Sequence, residues 1–390
     1  MQESFRWFGP GDPVPLSFIR QAGATAIFTS LHDIPYGEAW PREAIRERKA
    51  LVEAAGLCWS VVESVPIHED IKTGQGDLQR LFDNYLTSLR HLAHEGIRTV
   101  IYNFMPVLDW VRTDMRWPMP DGSLSMHFDP VRFAAFEIHA LRRKNAEAAY
   151  TPEQTEAAAA WWSGLDDAAR EAFVRSIIDV FPGVKWNLTL GDIRAMLARY
   201  DGIGETELQA NLARYLDVII PEAEKLGVRM AIHPDDPPFS VLGLPRIVST
   251  AAHLDAIIAM ADSPSNGICF CTGSLGARPD NDLPAMVRSF APRIHAAHLR
   301  STQLNPDGSF YEASHLGGSV DMPAVVAELL DEQSRRGADE PIPFRPDHGH
   351  VMMDDLAKPE GITPGYSCIG RMKGLSELRG LMLGLRRQSH

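Results

Sequence analysis

The chain has 390 residues, 45% hydrophobic and 23% charged, the composition of a globular protein able to bury a large core. No run approaches the roughly 18 consecutive apolar residues of a membrane helix, and the amino terminus MQESFRWFGPGD has no basic start followed by an apolar stretch, so a cytoplasmic protein is expected. The formal charge of −13 disfavours nucleic acid and anionic membrane as partners, and an anionic ligand would need a local positive centre such as a metal or an arginine.

Eight short β-type runs occur in chain order: Phe5–Phe8, Thr25–Thr29, Cys58–Glu63, Thr99–Phe104, Arg229–His233, Ile268–Thr272, His295–Leu299 and Pro343–Asp347. Between them lie stretches with a helical apolar period, at Arg42–Ala55, Leu78–Ala93, Glu205–Leu226, Asp321–Arg336 and Gly370–Arg387. A glycine follows several of these, as at Gly56, Gly227 and Gly337, which is a helix-stop signal. Strands alternating with helices imply a parallel sheet, and eight such units imply closure into a (β/α)8 TIM barrel, read here as a single domain over 1–390. The stretch 107–200 breaks the rhythm. It shows no convincing strand pair, and Asn145–Ala172 is rich in Ala and Glu, so a helical insertion after the fourth strand is expected, serving as a lid or a dimer contact.

In such a barrel the working residues lie at the carboxyl ends of the strands. The last four runs end in metal-ligand types: His233 in IHPDDPP, Cys271 in CFCTGS, His298 in HAAHLR and Asp347 in PFRPDHGH. Taken singly, each reads as a core side chain. Four at successive strand ends read as a site for Mn²⁺, Fe²⁺, Co²⁺ or Zn²⁺. Side chains two apart share a face of a strand, so Arg300 accompanies His298 and Arg345 accompanies Asp347, where an anionic substrate needs a cation; Cys269 lies one layer below Cys271. Four cysteines make no disulfide scaffold, and Cys58, Cys269 and Cys368 read as free thiols.

Polar groups crowd the other expected loops of the mouth: His32, His68, Glu69, Lys72, Tyr102, Asn103, Asp109, Glu312, Ser314, His315, His348, His350 and Tyr366. Their number suits a polyhydroxylated ligand. No phosphate loop, GxGxxG turn, GxSxG elbow or HExxH helix competes.

The motifs RWFGPGD, ESVPIHEDIKTG, YNFMPVLDWVRTD, PDGS, IHPDDPP, SHLGGSVDM, RPDHGH and PGY resemble, in order and spacing, those of the mannonate dehydratases. After HLR this chain has Ser301-Thr302 where the family pattern has Asn-Val. The resemblance implies a metal-dependent (β/α)8 barrel that removes water from D-mannonate to give 2-keto-3-deoxy-D-gluconate in hexuronate breakdown. It implies one Mn²⁺ or Fe²⁺ per subunit on His233, Cys271, His298 and Asp347, and a catalytic tyrosine at Tyr366. On this reading Tyr366 and His348 exchange protons with help from Asp347, while Arg300, Arg345 or Lys72 binds the substrate carboxylate. His68, Tyr102, Asn103 and His315 would contact the rest of a small sugar acid. A homodimer is expected. Two rival readings are a metal-dependent sugar isomerase or epimerase on the same barrel and a non-catalytic sugar-acid binding protein. The single carboxylate among the strand-end ligands favours the dehydratase over the isomerase.

Overall fold

The computed structural model of the protein describes residues 1–179, 188–358 and 362–388. Twelve strands are present among them: β1 (Gln2–Arg6), β2 (Ala26–Thr29), β3 (Cys58–Glu63), β4 (Thr99–Tyr102), β5 (Asp114–Pro118), β6 (Leu124–Phe128), β7 (Arg229–Ile232), β8 (Asn266–Cys271), β9 (Ile294–Leu299), β10 (Thr302–Leu304), β11 (Phe310–Glu312) and β12 (Pro343–Pro346). Eight of them close a parallel barrel in the order β1-β12-β9-β8-β7-β4-β3-β2. These are the eight runs visible in the sequence, each within a few residues, the first beginning earlier than expected.

Each barrel strand is followed by an outer helix, from Leu16–Gln21 after β1 to Cys368–Gln388 after β12. The helix Leu78–His94 shows why these stretches fold as they do. Asp77 caps its start by accepting from the Arg80 N–H, and Leu81, Phe82, Tyr85, Leu89 and Leu92 form one buried stripe. The long helix Glu205–Leu226 ends at Gly227, whose φ of 63° suits a residue without a side chain. Inside the barrel, Phe28, Val61, Ile101, Ala231, Cys269 and Ala296 make one packed layer that floors the mouth.

The segment after β4 departs from expectation. It holds the helices Pro152–Ser163, Asp167–Ile178 and Leu190–Ala198, but it also holds an antiparallel pair, β5 and β6, where no strands were expected. The pair joins β11 and β10 in a four-stranded sheet of order β10-β11-β6-β5. Its strands are short, β5 is half exposed, and Pro118 and Pro120 interrupt the apolar alternation that would signal it. No described helix is long and apolar enough to cross a membrane.

The last helix sets the position of the loop after β12. A Cβ on Gly370 would lie 2.0 Å from the His350 carbonyl oxygen and 2.7 Å from its nitrogen. Gly370→Ala should therefore push this helix away from the loop and cost about 1–3 kcal/mol. A thermal melt identical to that of the parent protein would show that the contact yields freely.

Candidate active site

Sheet register brings the chemistry together. Cys271 pairs with His298 across β8 and β9, and His298 pairs with Arg345 across β9 and β12, so these residues stand level at the barrel mouth. His233 follows β7 directly, its N–H bonded to the Tyr102 carbonyl at 2.9 Å. One ligand atom from each of His233, Cys271 and His298 lies within 4.8 Å of the other two. Asp347 stands beside this trio rather than within it, with its carboxylate 3.8 Å from the Cys271 sulfur.

Both imidazoles are aimed by their outer nitrogens. His233 Nδ1 donates to the Pro234 carbonyl at 2.7 Å, and its Nε2 faces His298 Nδ1 at 3.1 Å. His298 Nε2 lies 3.5 Å from Glu63 and 3.3 Å from the Cys269 sulfur. This is the outer bonding that orients the rings of metal-binding histidines. Burial alone would raise the Cys271 pKa, but the Arg300 charge and hydrogen bonds from His233 and His298 hold it well below the ordinary thiol range.

A buried ion-pair network surrounds the trio. Arg300 pairs with Asp236 and Glu312, and its Nε lies 2.8 Å from Asp347. Arg345 holds Glu63 at 2.7 and 3.0 Å and also pairs with Asp347. Arg112 bridges Asp236 at 2.7 Å and Glu312 at 2.8 Å. Burial would raise the Glu63 pKa, but Arg345, His298 and Arg6 bring it to about 2. Asp236 is brought to about 2 against its burial by Arg112 and Arg300. Arg112, Arg300 and Arg345 thus contact four carboxylates, Arg6 acts on Glu63 from nearby, and the lowered Cys271 thiol adds an anionic sulfur donor. Two imidazoles and a thiolate within reach of one another are a donor set for a divalent transition-metal ion, so the residues fit such an ion.

Above the trio is a cavity of about 240 Å³. His233, Asp347, His348, Tyr366, Asn103, Arg300 and Arg345, all candidates from the sequence, line it. Cys271 and His298 lie buried beneath. His348 Nδ1 lies 3.2 Å from Glu312, and the His348 and Tyr366 rings meet edge to face at 5.2 Å. Tyr366 Oη is 3.5 Å from Asp347. Burial first, and then Asp347 and Glu63, push its phenol above the ordinary range against the pull of Arg345.

Four expected contacts do not line the cavity. Lys72 Nζ turns to Glu69 at 2.6 Å and the Met105 carbonyl at 2.7 Å. His68 caps the short helix Glu69–Thr73 by accepting from the Asp70 N–H. Tyr102 points outward, its ring 5.4 Å from Tyr215 of a surrounding helix. His315 is buried against Gly374 of the last helix. Arg300 and Arg345 do reach the cavity, but carboxylates already hold them. Sequence reasoning missed Arg6, Phe8, Tyr36, Glu63, Trp110 and Asp236 in the wall, and Arg112 behind it. Arg6 had a signal: it is a charged residue between aromatic neighbours in the first strand, two positions before Phe8 on the same face.

Removing a single partner from a desolvated network leaves charge unpaired. Glu312→Gln should cost about 3 kcal/mol in unfolding free energy, measured by denaturant titration. A loss below a few tenths would mean that water screens Arg112 and Arg300.

The D-mannonate dehydratase (UxuA) family model matches residues 1–390. The mannonate dehydratase of Chromohalobacter salexigens is 50% identical over 384 residues, covering 98% of each chain. That of Marinomonas sp. is 50% identical over 390 residues, covering 99% of each. The crystal structure of mannonate dehydratase from Streptococcus suis serotype 2 is 36% identical, with a TM-score of 0.78, and the match covers 100% of this chain and 94% of that one. The chain belongs to the D-mannonate dehydratase family and is an enzyme of the hydro-lyase class.

Proposed function

We propose that this enzyme removes water from D-mannonate to give 2-keto-3-deoxy-D-gluconate, using one Mn²⁺ or Fe²⁺ per subunit, as a step of hexuronate breakdown. The observation that carries the reading is the placement, in a chain of this family, of three nitrogen and sulfur donors under a cavity lined by Asp347, His348 and Tyr366. His233, Cys271 and His298 would hold the ion, with Asp347 beside them as the fourth ligand. When bound, the ion would act as a Lewis acid toward substrate oxygen.

The reaction moves two protons. The C2–H bond breaks and its proton passes to a base. Its electron pair forms the C2–C3 double bond, and the C3 hydroxyl leaves as water after taking a proton from an acid. The enol so formed tautomerises to the 2-keto acid. Tyr366 and His348 both line the cavity with their rings at edge-to-face distance, so one can take the proton while the other delivers it. Glu312 orients His348 through Nδ1, which leaves Nε2 as the working nitrogen. Asp347, anchored by Arg300 and Arg345, stays ionised beside Tyr366 and supports the transfer.

Tyr366→Phe should lower kcat about 100-fold or more while bound metal remains stoichiometric by elemental analysis. Unchanged turnover would remove the tyrosine from the proton path. Thorough chelation with EDTA should abolish formation of the keto-deoxy acid, and added Mn²⁺ should restore it. Turnover that survives chelation would refute the role of the ion.

A further inference from the structure

The cavity is lined by three arginines, Arg6, Arg300 and Arg345. Two of them are committed: Arg300 is held by Asp236, Glu312 and Asp347, and Arg345 by Glu63 and Asp347. Arg6 is different. Among the described residues no carboxylate oxygen lies within 4.0 Å of its guanidinium. One terminal nitrogen is 3.2 Å from His32 Nε2, and the other makes a long contact of 3.5 Å with the Phe28 carbonyl. A guanidinium carries five donors, so most of its capacity is open. The residue is only 6% exposed. Glu63 acts on this charge only from beyond contact distance, and a guanidinium this buried with no carboxylate in contact is costly unless a ligand supplies one.

We propose that Arg6 is the residue that binds the carboxylate of the sugar acid, a role the sequence had assigned to Arg300, Arg345 or Lys72. The inference rests on the sugar-acid reading above. Arg6 ends β1, next to β12, which leads into Asp347, and its guanidinium sits 4.7 Å over the Phe8 ring. Phe8 in turn meets the Tyr366 ring edge-on at 4.9 Å. A carboxylate held on Arg6 therefore leaves C2 and C3 to extend toward Tyr366 and His348. The lining also carries Asp109, Tyr36 and Asn103, from the loops after β4 and β2. Asp109 would repel a carboxylate and accept hydrogen bonds from hydroxyls, whereas Arg6 would attract the carboxylate. The acid end belongs at Arg6 and the polyol tail at Asp109.

The test compares D-mannonate with its neutral amide on Mn²⁺-loaded protein. The parent enzyme is assayed first with D-mannonate; lack of turnover would defeat the proposed reaction. The Arg6 assignment is then decided by calorimetric binding of the acid and the amide. The parent should prefer the acid, and Arg6→Ala should weaken acid binding about 100-fold and leave amide binding within a few-fold. In turnover the loss should fall mainly on KM, with the metal content unchanged. Arg6→Lys, which keeps the charge but loses the fork, should fall between the two and guards against misfolding of the alanine variant. Added guanidinium should partly rescue Arg6→Ala. A ratio of acid to amide affinity that is the same in the parent, Arg6→Lys and Arg6→Ala would overturn the assignment.

Discussion

The site depends on Asp347 being held between Arg300 and Arg345. An ionised carboxylate is expensive to bury, and the expense is met only when counter-charges and hydrogen bonds use all its lone pairs. Here the solution is shared. Arg345 also holds Glu63, which sits 3.5 Å from His298, while Arg300 also holds Asp236 and Glu312. Each arginine thus ties the barrel's donor trio to a group at a different point of the mouth. Asp347 can lean toward the trio without leaving either arginine unpaired, because each retains a second carboxylate.

That charge pattern explains why the donors can be so deeply buried. His298 and Cys271 are fully enclosed, and a thiolate there has no water to stabilise it. Arg300 provides the positive field and the two histidines provide the hydrogen bonds. The outer contacts of His233 with Pro234, and of His298 with Glu63, then decide which nitrogen of each ring faces inward. Geometry and protonation are therefore settled by the same residues.

The barrel was legible in the sequence because each strand and helix reports its own period locally, and the donor residues were legible because barrel closure brings successive strand ends together. What escaped required knowledge of remote partners. β5 and β6 are too short to declare themselves, and β6 is supported by β11, where Phe128 faces Phe310 from far along the chain. Arg112 and Glu63 look like ordinary surface charges until their counter-ions are known. Tyr102 is a different case. Ile101 belongs to the inner layer, so alternation sends Tyr102 outward and Asn103 inward, which is where they lie. The rule that placed Arg300 and Arg345 was sufficient there too. His68 and Lys72 were absorbed by local structure, a helix cap and a lysine bonded back to its own helix, which residue type alone does not reveal.

The accessory sheet then takes on a role beyond decoration. In the barrel, β4 and β9 are separated by β8 and β7. The segments that follow them meet again where β6 pairs with β11, so two loops from different sectors of the mouth are stitched together by backbone hydrogen bonds. From this joint the sheet delivers Glu312, at the end of β11, to both Arg300 and His348. The segment leading into β5 delivers Arg112 to the same carboxylate and Trp110 to the cavity wall. Loops free to move would lose these long side chains to conformational entropy. Pairing them as strands fixes the backbone first, so that the buried charges meet at little further entropic cost. The insertion after β4 is thus part of the active site's electrostatics, and a change in its strand register would be felt at Arg300 before it was felt anywhere in the barrel.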